Sequence, residues 1–455
     1  MLDRTDRTIA LTLILGATLP LLDATLLNIA IQSIGRSLGA PLTQTQWVIT
    51  AYALAAAATV PLSAWLCERL SAKTVWLAGL WLFLAGACLC ALSWSMEMLV
   101  CSRALQGIAT GIMLPTMQTI LVTAIGQSKT RSALTMMSIP SVLVPILGPL
   151  LGSAALQLLD WRTIFWLHVP IGLLSVRFAS HVIPDMVASR RAALDATGFL
   201  LLSSALSGCI HSLSTAAGST RQSLISGTAG LFGLVAFLMH ALRKRGDAIV
   251  DVRPFLSRPF RRSCALLLLS SVAHYGGLLF FPLYFIQIGR HGLTVAGVLL
   301  ALQGVGMLVG RQLLPMAARH CGEFRVAFSC VLVAVIGSIA LLPPFFNDLI
   351  LMAVGMMLRG AGIGVLTLLS MSSAYTGLGP TQIPHASSLT RMMTLLGAAI
   401  GAALVAVLCA GAGGELSGTT ASGASVHLSL ILTLLLCGAV CPRPAHRAMR
   451  PGGSF

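Results

Sequence analysis

Apolar runs of about 20 residues or more recur from end to end of this chain, separated by short polar connections. A helix needs about 20 apolar residues to cross the hydrocarbon core of a bilayer, so each run reads as a candidate span. Residues 8–34, 45–66, 75–95, 98–125, 132–158 and 163–183 give six spans, and 196–216 and 224–242 give two more. The last six lie at 263–288, 294–317, 325–345, 349–374, 388–411 and 425–441. Charged residues are 9% of the 455 and apolar residues 56%. A soluble domain carries about 25% charge, so lipid has to cover what this surface cannot present to water. No segment alternates with the period of a membrane β-strand, which leaves an all-α integral membrane bundle. The first run begins like a secretory leader but continues past Asp23 to about Ile34, and it reads as an uncleaved span.

The formal net charge of +16 would suggest nucleic acid in a soluble protein. Here the basic residues are scattered between apolar runs and form no nucleic-acid-reading motif, so no such partner is expected. Their placement follows the positive-inside rule. With about fourteen spans and a cytoplasmic N-terminus, most of the 29 Lys and Arg fall on the cytoplasmic side. Only Arg36, Arg162, Arg221 and Arg290 fall opposite. One missed span would invert every later connection and destroy this asymmetry. Both termini are therefore expected in the cytoplasm, on an inner (plasma) membrane. The connection 243–262, with seven basic and two acidic residues, reads as a cytoplasmic linker drawn to anionic headgroups.

The chain also repeats itself. Leu105-Gln106-Gly107-Ile108-Ala109-Thr110-Gly111 matches Leu358-Arg359-Gly360-Ala361-Gly362-Ile363-Gly364, at an offset of 253 residues. Leu147-Gly148-Pro149-Leu150-Leu151-Gly152 matches Leu396-Gly397-Ala398-Ala399-Ile400-Gly401, at an offset of 249. Two matches in order at nearly one offset predict two related six-span halves, 1–185 and 251–455, with two extra spans in 186–250. Transporters commonly carry such repeats, with the substrate path between the halves.

Chemistry is expected where polar residues interrupt the runs. Asp23 is the acid well inside a span. An ionised carboxylate there costs about 2.5–3.5 kcal/mol on insertion scales unless it is paired, hydrated or protonated. Burial raises a carboxylate pKa and a nearby cation lowers it. A group balanced between the two could bind and release a proton; a static structural pair is the alternative. Arg103, Gly107 and Gly111 recur every four residues and share one helix stripe. The glycines allow close helix approach, and the permanently charged Arg103 is the plausible counter-ion of Asp23. The fifth run carries Pro140, Pro145 and Pro149 with Gly148 and Gly152, a kinked and glycine-faced helix suited to an interface that rocks or seals. Arg311, Arg359 and Arg391 have no second intramembrane acid to meet, and some are expected to reach the headgroups. His274 and Tyr275 could line a cavity.

Absences narrow the classes. There is no G-x-x-x-x-G-K-[ST] loop, no HExxH zinc site and no GxSxG elbow, so an enzyme is not expected, and neither a metal nor an organic cofactor. A proton gradient is then the expected energy source. The eleven cysteines lack CxxC or Cys/His ligand spacing and read mainly as small apolar residues.

Several of these segments match a known pattern. Leu22-Asp23-Ala24-Thr25-Leu26-Leu27-Asn28-Ile29-Ala30 resembles the first-helix signature LDxTIVNVALP. Leu99-Val100-Cys101-Ser102-Arg103-Ala104-Leu105-Gln106-Gly107 resembles the fourth-helix motif lxxxRxxqG. Gly148-Pro149-Leu150-Leu151-Gly152-Ser153 resembles the antiporter motif GPxxGG, and Trp161-Arg162-Thr163-Ile164-Phe165-Trp166-Leu167-His168-Val169-Pro170-Ile171-Gly172 resembles WRWIFxINVPIG. On these four motifs the chain resembles the major facilitator superfamily and, within it, the fourteen-helix drug:proton antiporters. The resemblance implies proton coupling at Asp23, proton transfer at Arg103 and antiport at the helix-five motif. Asn28, Gln106, Gly107, Gly111, Pro145, Gly148, Pro149 and Gly152 become candidates for the substrate path and its gating. The family's loop motif GxLaDRxGrkxxl appears as Ala64-Trp65-Leu66-Cys67-Glu68-Arg69-Leu70-Ser71-Ala72-Lys73, with Glu68, Arg69 and Lys73 as the cytoplasmic latch. Two glycines have become Ala64 and Ser71, and the aspartate has become Glu68, which would loosen that latch.

The expected activity is export of apolar or amphipathic, often cationic, compounds by a monomeric carrier that exchanges them for protons in a lipid membrane. An exporter of a metabolite, amino acid or siderophore is the alternative in the same fold. A membrane sensor or scaffold is the alternative of another class.

Overall fold

In hydrocarbon every backbone N–H and C=O must find its partner within the protein, and a helix does this inside one segment. The apolar runs therefore become helices. The computed structural model describes residues 3–45, 47–127, 129–137, 144, 160–186, 193–215, 220–244, 248–287, 293–321, 323–342, 348–410 and 420–440. In chain order the long helices are α1 (Arg4–Ser37), α2 (Trp47–Leu70), α3 (Ala72–Ala91), α4 (Met96–Ile125), α5 (Arg162–Val182), α6 (Ala196–Thr215) and α7 (Thr220–Lys244). They continue with α8 (Arg258–Gln287), α9 (Leu293–Cys321), α10 (Glu323–Ile339), α11 (Leu349–Ala374), α12 (Ile383–Ala410) and α13 (Thr420–Val440). Among the described residues eleven helices are long and apolar enough to cross a membrane, and shorter apolar helices occupy Arg325–Ile339 and Val426–Val440. Among the described residues there is no strand. The fifth expected run lies largely outside the described residues, and Pro140, Pro145, Gly148, Pro149 and Gly152 with it.

Caps set several boundaries. Ser95 Oγ accepts the Met98 N–H at 3.2 Å to start α4, and Gly126, at φ +87°, ends it. Asp348 starts α11 by accepting the N–H groups of Ile350 and Leu351 at 2.9 and 3.0 Å.

The helices pack in two groups, α1–α5 and α8–α13, with α6 and α7 paired beside them. The closest pairing in each group rests on the repeated glycines. A Cβ on Gly107 or Gly111 would run into the Tyr52 or Ala56 carbonyl of α2, so α4 lies directly on the α2 backbone. A Cβ on Gly360 would run into the Gln303 carbonyl of α9, and one on Gly364 into the Met307 backbone. The two matched segments thus make the same contact twice.

α12 joins the groups by packing on α2, α4 and α6. At the end that carries Asp3, buried apolar clusters mix both groups: Val60 and Val122 pack with Tyr375, Ile383 and Leu389. At the other end they stay separate, with Leu27, Leu99 and Phe165 in one cluster and Phe281, Met352 and Leu430 in another. Among the described residues the bundle is therefore closed at one end only. The connection expected as a linker between the halves packs at that end, with Ile249, Val250 and Asp251 all buried. Ala248, Ile249, Val250 and Val252 join the buried apolar cluster there. Outward, α7 presents Leu231, Phe232 and Leu242, all more than half exposed. This is a multi-pass membrane protein.

Candidate functional site

The stripe that seats α4 on α2 also aims Arg103. One turn before Gly107, its side chain meets the α2 backbone, where Nε donates to the Val48 carbonyl at 3.1 Å. Nη1 lies 2.7 Å from both carboxylate oxygens of Asp23 on α1 and 2.7 Å from Gln106 Oε1. Two N–H groups on one nitrogen thus serve three acceptors, so Gln106 competes with the carboxylate for the same protons. The guanidinium sits 4.3 Å from the Tyr52 ring centroid, and Tyr52 Oη is 2.9 Å from Thr110 Oγ1. Asp23 is 0% and Arg103 1% exposed. The pair expected from the sequence is made, between α1 and α4, and Gln106 joins it with an unpartnered Nε2. The Asn28 side chain lies outside the described residues.

Of the three arginines of which some are expected at the headgroups, Arg359 lies deepest. It does not reach for the headgroups: it is 0% exposed, with its guanidinium 4.6 Å from the Phe281 ring centroid. The cause is Gly277 on α8, whose missing side chain leaves the space the guanidinium fills. Nη2 donates to the Ala273 carbonyl at 2.6 Å, while Nε and Nη1 have no partner. Arg311 is turned inward too, donating to the Gly364 carbonyl and to Thr367 Oγ1, both at 3.0 Å.

The residues expected to form the loop latch separate. Glu68 Oε1 accepts from His385 Nε2 of α12 at 2.9 Å, across the two groups. His385 Nδ1 accepts the Asp251 N–H at 3.2 Å, which assigns the proton to Nε2. The Asp251 carboxyl is itself buried, which works against its charge, but bonds from Arg253 outweigh that and hold it below the usual carboxylate range. Lys73 instead binds Asp185 at 2.7 Å, within its own group, and Arg69 lies 5.4 Å from the Trp65 ring centroid. Further bonds close the same end: Tyr375 Oη to Gln118 Oε1 at 2.9 Å, Ser63 Oγ with Ser388 Oγ at 2.9 Å, and Gln127 Nε2 to the Leu378 carbonyl at 2.7 Å. Sequence reasoning missed Tyr52, Gln118, Tyr375 and His385. The one available signal was a polar residue in the first or last turns of a span, which many residues give. Among the described residues no three His, Cys, Asp or Glu are grouped to hold a metal.

This fold and its buried charge pair have relatives. The profile of the Major Facilitator Superfamily matches residues 13–402. The chain belongs to that superfamily. It is 25% identical over 395 residues to the multidrug resistance protein B homolog of Mycobacterium tuberculosis, covering 85% of this chain and 73% of that one. It is 29% identical to the multidrug export protein EmrB of Haemophilus influenzae, over 66% of this chain and 59% of that one. It is also 29% identical to MdtD of Escherichia fergusonii, a candidate multidrug resistance protein by its name, over 63% of this chain and 62% of that one. Against EmrB and MdtD the match spans less than two thirds of the relative. Among solved structures, the human organic anion transporter MFSD10 superposes with a TM-score of 0.65 at 18% identity, over 96% of this chain and all of that one. A bacterial homologue of the iron transporter ferroportin gives 0.66 at 13% identity, over 96% and 98%. At these identities the structures report the superfamily fold. As a member of a transporter superfamily, the chain moves small molecules.

Proposed function

We propose that this superfamily member is a proton-coupled exporter of drug-like amphipathic compounds, working as a monomer in the inner (plasma) membrane with both termini in the cytoplasm. The observation that carries the reading is the buried Asp23–Arg103 pair, in a chain whose relatives are named for multidrug resistance and export. With the N-terminus in the cytoplasm, the closed end is cytoplasmic and the carrier faces outward. A proton arriving from outside then neutralises the Asp23 carboxylate and ends its ionic contact with Arg103. Arg103 keeps the Val48 carbonyl, Gln106 and the Tyr52 face, so its charge stays partly satisfied. Loss of the pair frees α1 from α4 and lets residues 1–185 rock against 251–455, opening the Glu68–His385 end. Asp23 releases its proton to the cytoplasm as cargo enters, and re-formation of the pair returns the carrier. Uniform binding of proton and cargo in both states would couple nothing, so the difference in Asp23 basicity between the two states is the required element.

The test is flux in proteoliposomes holding the whole chain, across a panel of drug-like compounds, with an internal pH dye. Compound export and proton uptake are expected together in the wild type, and Asp23→Asn is expected to abolish the proton signal. Compound flux indifferent to the pH gradient, or an unchanged proton signal in the variant, would overturn the reading.

A further inference from the structure

We infer that the inward faces of α9 and α12 hold a receptor for a negatively charged group on the cargo, with Arg311 and Arg391 as its contacting cations and Arg359 behind them. This rests on the transporter reading above and specifies its substrate class: amphipathic anions such as carboxylates, in place of the cationic compounds expected from the sequence.

The first ground is what the repeat keeps and what it drops. The offset of 253 that carries Gly107 to Gly360 carries Gln106 to Arg359. α1 and α8 correspond as the opening helices of the two groups, and Gly277 lies as far into α8 as Asp23 lies into α1, 19 residues after Arg258 and Arg4. In the first group an acid and a cation therefore meet. In the second a glycine meets a cation, and the guanidinium lies against the backbone where the acid would stand. By the same offset Arg103 falls on Met356, so the second group carries its cation at the position of Gln106 and, among the described residues, has no carboxylate paired with it.

The second ground is unmet hydrogen-bonding capacity. Arg359 is fully buried with two guanidinium nitrogens unpartnered. A buried charge lacking partners is costly, and a ligand that supplies them recovers that cost on binding.

The third ground is placement. Arg391 has no hydrogen-bond or ion-pair partner among the described residues, and it is neither exposed nor fully buried. It lies within electrostatic reach of Tyr52 in the first group and Tyr275 in the second. Arg311, also half-buried, lies within reach of Tyr275. Arg391 therefore lies on the helix that packs against both groups, and Arg311 shares Tyr275 with it. Among the described residues no carboxylate forms an ion pair with Arg311, Arg359 or Arg391, and Asp23 is already committed to Arg103. A cationic cargo would meet three like charges in a medium of low dielectric, and an anionic cargo would supply what they lack.

Naphthoate, naphthamide and naphthylmethylammonium share one apolar body and differ only in head-group charge. Equilibrium binding of the three to the detergent-solubilised whole chain separates charge from hydrophobicity. Naphthoate is expected to bind at least about tenfold more tightly than the other two, the scale of one charge-assisted hydrogen bond. Arg391→Gln and Arg311→Gln are expected to collapse the ratio of naphthoate to naphthamide affinity, and Arg391→Lys to preserve it. Gly277→Asp, which places a carboxylate against Arg359, is expected to lower the same ratio, and it reports independently if an arginine variant does not fold. No preference for naphthoate, or a ratio unchanged in all the neutralising variants, overturns the inference. Proton-driven flux of the three probes is read separately. Tight, charge-selective binding without coupled flux would sink the exporter reading and leave the anion receptor standing.

Discussion

Asp23 and Arg103 share a single guanidinium nitrogen: both carboxylate oxygens lie 2.7 Å from Nη1, with no water-accessible surface to screen them. Removing one partner strands the other. Asp23→Asn and Arg103→Gln are each expected to destabilise the protein by about 3–5 kcal/mol, the usual cost of an uncompensated buried charge. The double variant Asp23→Asn/Arg103→Gln leaves no stranded charge and is expected to be more stable than either single variant. Unfolding of the four proteins in one detergent completes the cycle, and the pair is expected to couple by about 1–3 kcal/mol. Additive losses would mean that the two residues do not act as a pair. The cycle also bears on the coupling test, because a lost proton signal in Asp23→Asn is interpretable only at temperatures where that variant stays folded.

Glu68 reaches across the closed end to His385, whereas Lys73 stays within its own group. Only the first contact should therefore bias the opening of that end. Cys67, beside Glu68, is 7% exposed and reports on it, and the exposed Cys101 serves as an internal reference. Glu68→Ala is expected to raise maleimide labelling of Cys67 by about tenfold or more, from the loss of one hydrogen bond to a charged group. Lys73→Ala is expected to leave it unchanged. Mass spectrometry of labelled peptides reads both, and equal labelling in the two variants would remove the latch role from Glu68.

Ser71 occupies φ +82°, ψ 147°, a backbone conformation that L side chains rarely adopt and glycine adopts freely. Its hydroxyl offers a weak return, accepting the Thr74 N–H at 3.4 Å to start α3. Strain of this kind costs about 1–3 kcal/mol, and replacing a Ser cap by Gly costs only a few tenths. Strain wins, although glycine also loses about 0.5–1 kcal/mol through its freer unfolded chain. Ser71→Gly is expected to stabilise by about 1 kcal/mol in thermal unfolding, and a lower melting temperature would show that the turn is not strained.

What the sequence makes legible is whatever has a period or a length. The thickness of the hydrocarbon core makes each span visible as a run, and the four-residue spacing of Arg103, Gly107 and Gly111 predicts the face that α4 turns to α2. One intramembrane acid makes Asp23 stand out, and the sequence offers Arg103 as its plausible counter-ion without excluding the other intramembrane arginines. Glu68 shows where this logic ends. Its charged neighbours Arg69 and Lys73 suggest a local latch, but its partner is 317 residues away on α12. Arg359 shows the same limit, since its burial depends on a glycine in another helix and no pattern within its own helix records that. Tertiary contacts between spans are set by which faces meet, and hydropathy says nothing about that once every face is apolar.

Asp195 supplies a pH-dependent prediction outside the spans. Placed just before α6, its carboxylate accepts from His240 Nε2 at 2.8 Å and Lys244 Nζ at 3.1 Å on α7. It also accepts the Gly198 and Ile249 N–H groups, both at 3.2 Å. One acid thus holds the start of α6, the end of α7 and the buried connection into α8. Burial pushes its carboxyl upward, but these donors together outweigh burial and hold it below the usual range. A carboxyl with a lower pKa folded than unfolded contributes stability above its unfolded pKa of about 3.9, and that contribution fades as pH falls through the folded value. Asp195→Asn keeps the size of the side chain but removes the charge, and it is expected to cost about 1.5–3 kcal/mol at neutral pH. Melting curves of wild type and variant are then expected to converge as pH is lowered below about 4. A gap that persists unchanged into acid would mean that Asp195 acts through shape alone, and that the α6–α7 pair is held to the bundle by its apolar faces.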